Sequence, residues 1–168
     1  MIVSNSTPLI YLSKIDKFYL LKELFGKVII PTAVKQEVVD AGRKFNYIDA
    51  LETEKAIREG WMFVQDVKVI SDLLDIGLHK GEAEAISIAY NSKLMVLLDQ
   101  THARVAAQLM NVDFNGTLFV LLHALEKELI SLDIYMLSLE DLLKVGFRMS
   151  EEVYLRAVRM GKEIKRKK

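Results

Sequence analysis

The chain has 168 residues, with 23 basic and 23 acidic side chains, no cysteine and two prolines. Its length suits one domain with a substantial core, and its 51% hydrophobic and 27% charged residues exclude wholesale disorder. The lack of cysteine excludes a disulfide scaffold, a thiolate zinc centre and a cysteine nucleophile, and the zero net charge argues against a broadly basic nucleic-acid binder.

Short apolar runs alternate with longer amphipathic ones, the pattern of an α/β chain with a mostly parallel sheet. Residues 2–4 read as a first strand that ends at Asn5-Ser6-Thr7-Pro8, where the proline marks a helix start. A helical pair over 9–15 and 19–25 follows, punctuated by Gly26. Residues 28–30 form a second strand closed by Pro31, and Thr32 is the expected cap of a helix over 33–41. A charged helix is expected over 46–59, a third strand over 62–64 and a helix over 69–76. Residues 81–91 form a well-patterned helix, and 94–98 the most hydrophobic strand, expected at the sheet centre. A helix over 101–110, a weak fifth strand over 112–114 and helices over 118–128 and 133–144 complete the pattern. Ser150 reads as the cap of a last helix, with Glu151 and Glu152 in its first turn. The expected organisation is one domain over 1–149 plus a C-terminal helix and basic tail over 150–168, packed on it or extending from it.

The neutral average hides an asymmetry. From Arg156 to Lys168 there are seven basic residues and one acid, so the rest of the chain carries a surplus of six acids. The tail reads either as a frayed, solvated end or as a contact for phosphate or a partner. The N-terminus lacks the basic and apolar regions of a secretory signal, and no apolar run approaches the ~20 residues that span a bilayer. The expectation is a cytoplasmic protein without a membrane partner.

In open parallel sheets, ligands bind beyond the carboxyl ends of the strands. Asn5 and Asp99 stand directly after the first and fourth strands, where turn chemistry is the competing role. On a helical wheel Glu82 falls inside the apolar stripe of its helix, whereas Glu84 falls on the opposite, polar side. Glu37 lies at the edge of its own helix's apolar stripe. A buried carboxylate must be paired, protonated or bound to a cation, and clustered oxygen ligands select hard ions such as Mg²⁺ or Mn²⁺. His79 and His102 are placed to approach such a site, and His123 is expected in or beside the core. No glycine-rich phosphate loop or nucleophile elbow is present.

The ordered segments Ile2-Val3-Ser4-Asn5-Ser6-Thr7-Pro8, Ile30-Pro31-x-x-Val34-x-x-Glu37, Gly81-Glu82-Ala83-Glu84-Ala85-Ile86, Leu97-Leu98-Asp99-x-x-x-Ala103-Arg104, Gly116-Thr117-Leu118 and Gly146-Phe147-Arg148-Met149-Ser150 resemble the PIN-domain superfamily. Its members are metal-dependent ribonucleases, many of them toxins of VapBC-type toxin–antitoxin pairs. The resemblance implies a three-layer α/β/α sandwich with a mostly parallel sheet of about five strands, plus C-terminal helices. It also implies RNA as substrate, a small antitoxin as partner, a homodimer, and Mg²⁺ or Mn²⁺ held by Glu37, Glu82 and Asp99, with Glu84 as alternate to Glu82. Position 5 completes the implied catalytic set. Ser6, Thr7, Lys80 and Arg104 are candidate phosphate contacts.

Two positions depart from the pattern. PIN domains usually carry Asp where this chain has Asn5, and the prokaryotic PIN-like subfamily that Gly116-Thr117-Leu118 and Gly146-Phe147-Arg148-Met149-Ser150 resemble commonly has a second acid where Gln100 stands. The leading expectation is a metal-dependent ribonuclease, a candidate toxin of a type II pair. The alternative is a catalytically impaired PIN-like module that binds RNA or protein, and a third reading is an α/β subunit that dimerises through its C-terminal helices.

Overall fold

The structure, a computed structural model, describes residues 1–166. Five parallel strands, β1 (Ile2–Ser4), β2 (Val28–Pro31), β3 (Met62–Gln65), β4 (Val96–Leu97) and β5 (Phe114–Asn115), form one sheet in the order β3-β2-β1-β4-β5. The middle strand is β1, not the expected β4. The reason is connectivity: β1, β2 and β3 step outward in one direction, and the chain then crosses back to lay β4 and β5 on the other side of β1. Loops after β1 and β4 therefore diverge at a topological switch point, where a crevice opens.

Strand residues alternate between two cores, as a period of two requires. Ile2, Val28, Ile30, Met62 and Leu97 face one core, together with α1 (Ser6–Lys14), α2 (Leu20–Phe25) and α4 (Ile48–Arg58). The same core takes in α8 (Thr117–Glu126), α9 (Leu132–Lys144) and α10 (Glu151–Arg166). Val3, Ile29, Val96 and Leu98 face the other core, against α5 (Ser71–Leu74), α6 (Lys80–Ser92) and α7 (Thr101–Leu109). The result is the three-layer α/β/α sandwich. Among the described residues no helix is long and apolar enough to cross a membrane.

Several boundaries differ from expectation for local reasons. The expected helix over 33–41 begins as α3 (Thr32–Lys35) and continues as a π-helical turn, Gln36–Ala41. Thr32 does not cap it. The Ala33 N–H instead donates to Glu84 Oε2 at 2.9 Å, so the cap arrives from α6. The helix expected over 69–76 survives only as α5. The basic tail is helical as far as Arg166, and Lys167 and Lys168 lie outside the described residues. Ser150 does cap α10, accepting from the Val153 N–H at 3.2 Å. Tyr135 on α9, fully buried, donates its hydroxyl to the Ala157 carbonyl of α10 at 2.9 Å. Its burial pushes its pKa up to about 12.

Candidate functional site

At the carboxyl ends of β1 and β4 lies a cleft of about 510 Å³. Its floor is built from turn residues. Asn5 follows β1, is 1% exposed and donates from Nδ2 to Gln100 Oε1 at 3.3 Å. Gln100 in turn donates from Nε2 to Thr7 Oγ1 at 2.6 Å. This amide chain ties the β1 turn to the β4 turn across 95 residues of sequence. Ser6 and Thr7 line the cleft beside it, Ser6 largely buried in the first turn of α1.

Glu82 lines the same cleft from the first turn of α6 and is 4% exposed. Its Oε2 accepts the His79 N–H at 3.1 Å and lies 2.9 Å from His102 Nε2. Its Oε1, like Asn5 Oδ1, is buried without a hydrogen-bond partner. Glu37 stands at the mouth on the π-helical turn, exposed, with its Oε2 close against Gly81 of α6. Lys80 is an exposed rim cation whose Nζ lies 3.7 Å from Glu84 Oε1. His79 and His102 meet edge to face, 6.3 Å between centroids.

Four residues singled out in the sequence stand elsewhere. Asp99 is not among the residues lining the cleft. It turns toward the start of α8, where its Oδ1 accepts the Thr117 N–H at 2.9 Å and its Oδ2 the Thr117 hydroxyl at 2.7 Å. Arg104 packs with it, donating from Nε to the Leu98 carbonyl at 2.8 Å with Nη2 3.8 Å from Asp99 Oδ1. Arg104 thus fastens the end of β4 through Nε, while its guanidinium stays partly exposed. Glu84 is 3% exposed, contrary to its expected polar-side position, because α3 covers that side of α6. Its Oε2 is committed to Ala33 and its Oε1 faces Lys80. His123 stacks on Phe119 at 5.3 Å, away from the cleft.

Burial raises the Asp99 pKa above its ordinary 3.8, an effect opposed by the Thr117 donors and Arg104. A raised acid holds its proton more tightly when folded, so its contribution to stability falls as pH rises from the ordinary value through the folded one. Wild-type urea midpoints measured upward from the ordinary value of 3.8 should carry this falling component, and Asp99→Asn should lack it. Identical pH profiles for the two proteins would contradict it.

A family model described as PIN domain matches residues 1–163. The chain belongs to the PIN-domain family. No curated protein and no solved structure matches it. PIN domains are generally nucleases that use divalent metals, so the cleft is the place to test that chemistry. The residues present do not make the acidic set that such a centre implies. Asn5 and Gln100 are neutral and bonded to each other, and Asp99 turns away to accept from Thr117 on both oxygens. That leaves Glu82 and the exposed Glu37 as the acids lining the cleft. Among the described residues no three His, Asp or Glu side chains come together to hold an ion. The resemblance implies Asp99 in this set and marks Gln100 as a departure from it; the side chain reaching Asn5 is that of Gln100.

Proposed function

We propose that this PIN-domain protein binds single-stranded RNA in the cleft at the strand ends without the metal-supported hydrolysis typical of its family. The observation that carries this reading is the Asn5–Gln100 hydrogen bond at 3.3 Å. Two carboxylates at that separation would repel and would need a cation or a shared proton. Two amides need neither, because a donor meets an acceptor, and the cleft is stable without an ion. The unpartnered oxygens of Asn5 and Glu82 are closed to solvent, so a ligand that brings donors, as base amino groups do, pairs with them by displacing the side chains that cover them. They disfavour phosphate oxygens on the floor and support a strand held base-inward, with its phosphates outside near Lys80.

The test compares wild type with the double variant Asn5→Asp/Gln100→Glu. Wild type should bind a labelled RNA pool equally in EDTA and in Mn²⁺, with no cleavage and no Mn²⁺-dependent rise in Tm. The double variant should gain an Mn²⁺-dependent Tm rise of several degrees. At a hundredfold excess over Kd a bound ion adds about 2.7 kcal/mol, and each kcal/mol is worth roughly 2–4 °C in a chain of this size. It should also gain metal-dependent cleavage. Cleavage by wild type in Mn²⁺ that is abolished in Glu82→Gln would overturn this reading in favour of the metal-dependent ribonuclease. The type II toxin role, its antitoxin partner and the homodimer belong to that other outcome.

A further inference from the structure

Between the π-helical turn and α4 the chain reads Arg43-Lys44-Phe45-Asn46-Tyr47, and every one of these residues is exposed. Phe45 is 67% and Tyr47 54% exposed, unusual for large aromatic side chains. They are not splayed at random. Their rings stack with centroids 5.4 Å apart and an interplanar angle of 23°. One face of each ring is turned to the other, and both rings still keep more than half of their surface in solvent. Asn46 adopts left-handed backbone (φ 52°), the turn that brings the two rings to the same side.

Cations flank the rings on the exposed side. Arg43 and Lys44 belong to the segment itself, and Lys14 lines the adjoining pocket of about 550 Å³ together with Phe45, Tyr47 and two acids, the exposed Glu37 and the buried Asp49. Arg43 lies 3.3 Å from Glu54, but at 69% side-chain exposure that ion pair is screened by water and holds it loosely. The pocket shares Ile10 and Glu37 with the cleft, so the ring pair and the strand-end site form one continuous surface.

An apolar face alone does not name its occupant. Cations interleaved with exposed rings do, because single strands are held by bases stacked on aromatic rings and phosphates met by Lys and Arg. We propose that Phe45 and Tyr47 are a stacking platform for single-stranded RNA, with Arg43, Lys44 and Lys14 meeting its phosphates as the strand runs toward the cleft. This rests on the RNA reading of the cleft and adds a second contact region to it.

Fluorescence anisotropy with the full chain and labelled 12-nucleotide oligoadenylate and oligouridylate, at two salt concentrations, tests the proposal. Phe45→Ala/Tyr47→Ala should weaken binding by about tenfold or more, since stacking on each ring is worth roughly that when removed. Phe45→Trp/Tyr47→Trp should retain it. Arg43→Ala/Lys44→Ala should weaken binding and flatten the slope of log K against log salt by about 1.4, the value for two phosphate contacts on a single strand. Thermal melting of each variant beside wild type shows that the exposed changes leave the fold intact. If wild type binds and the double alanine variant binds equally, the platform is wrong while the RNA reading of the cleft stands. If wild type binds neither oligonucleotide, both fall. If sedimentation shows a wild-type oligomer dissociated by the alanine pair with RNA affinity unchanged, the face joins copies of the chain and the proposal is overturned.

Discussion

Gly116→Ala should lower stability by about 2–4 kcal/mol, the cost of a methyl group forced into a filled site together with the hydrogen bonds it displaces. A Cβ at this position would run into Arg104 Nη2, come within 2.5 Å of Asp99 Oδ1 and within 3.0 Å of the Leu98 carbonyl. The backbone there is extended (φ −143°), which any residue adopts, so the cost is steric and not torsional. Arg104 can swing aside only by giving up its 2.8 Å bond to Leu98. Asp99 is held on both oxygens by Thr117, and Leu98 is main chain at the end of β4. Urea unfolding should show a lower midpoint with an unchanged m value. Thr117→Val should cost about 1–3 kcal/mol by stripping the hydroxyl donor from a buried carboxylate. The two losses should combine to less than their sum, because both substitutions break one network. A Gly116→Ala midpoint indistinguishable from wild type would mean that the Asp99–Thr117 joint yields freely.

Glu84→Ala should cost about 3 kcal/mol or more, a large loss for a glutamate on a helix. The side chain is 3% exposed, and it supplies the acceptor for the Ala33 N–H at the start of α3. Truncation leaves that donor buried without a partner and opens a void between α3 and α6. Glu84→Gln keeps an acceptor oxygen and nearly the same volume, so it should recover most of the loss. Lys80→Ala should change little, since its contact is 3.7 Å long and its head is in water. Thermal denaturation of the three variants checks the order. Equal damage from Gln and Ala would point to the charge and not the hydrogen bond as the stabilising element.

Much of the layer architecture can be read from the alternation of short apolar runs and amphipathic helices, because two-sided burial leaves so few polar residues inside the strands. What could not be read is the phase of residues after a very short strand. Only Val96 and Leu97 of the run over 94–98 pair as β4, so the directions of Asp99 and Gln100 are set by the turn and by Thr117, which is 18 residues away from Asp99. A pattern argument chooses the first polar residue after the strand; the folded chain sends that one to α8 and the next one to Asn5. Glu84 was hidden by a different cause. A wheel assigns one polar side to α6, yet residues 81–89 are buried all round. The small residues Ala83, Ala85 and Ala89 were the available signal, since close packing on several sides favours side chains of that size. The ring pair Phe45–Tyr47 went unremarked because it sits in a charged stretch with no periodicity to draw attention to it.

The amide chain on the cleft floor also bears on how this family can change over generations. Asparagine differs from aspartate, and glutamine from glutamate, by a single base in the codon. With Gln100 changed to Glu, the Asn5 amide still donates to the new carboxylate across the same 3.3 Å gap; with Asn5 changed to Asp, Gln100 offers a donor only by turning its amide over and giving up its bond to Thr7. Either order of change therefore passes through a folded intermediate without like charges in contact. Only the second change creates a pair of acids that calls for a cation. An ion-free and an ion-dependent cleft are in this way neighbours in sequence space, joined by two steps, of which only the last alters what the site requires from its surroundings.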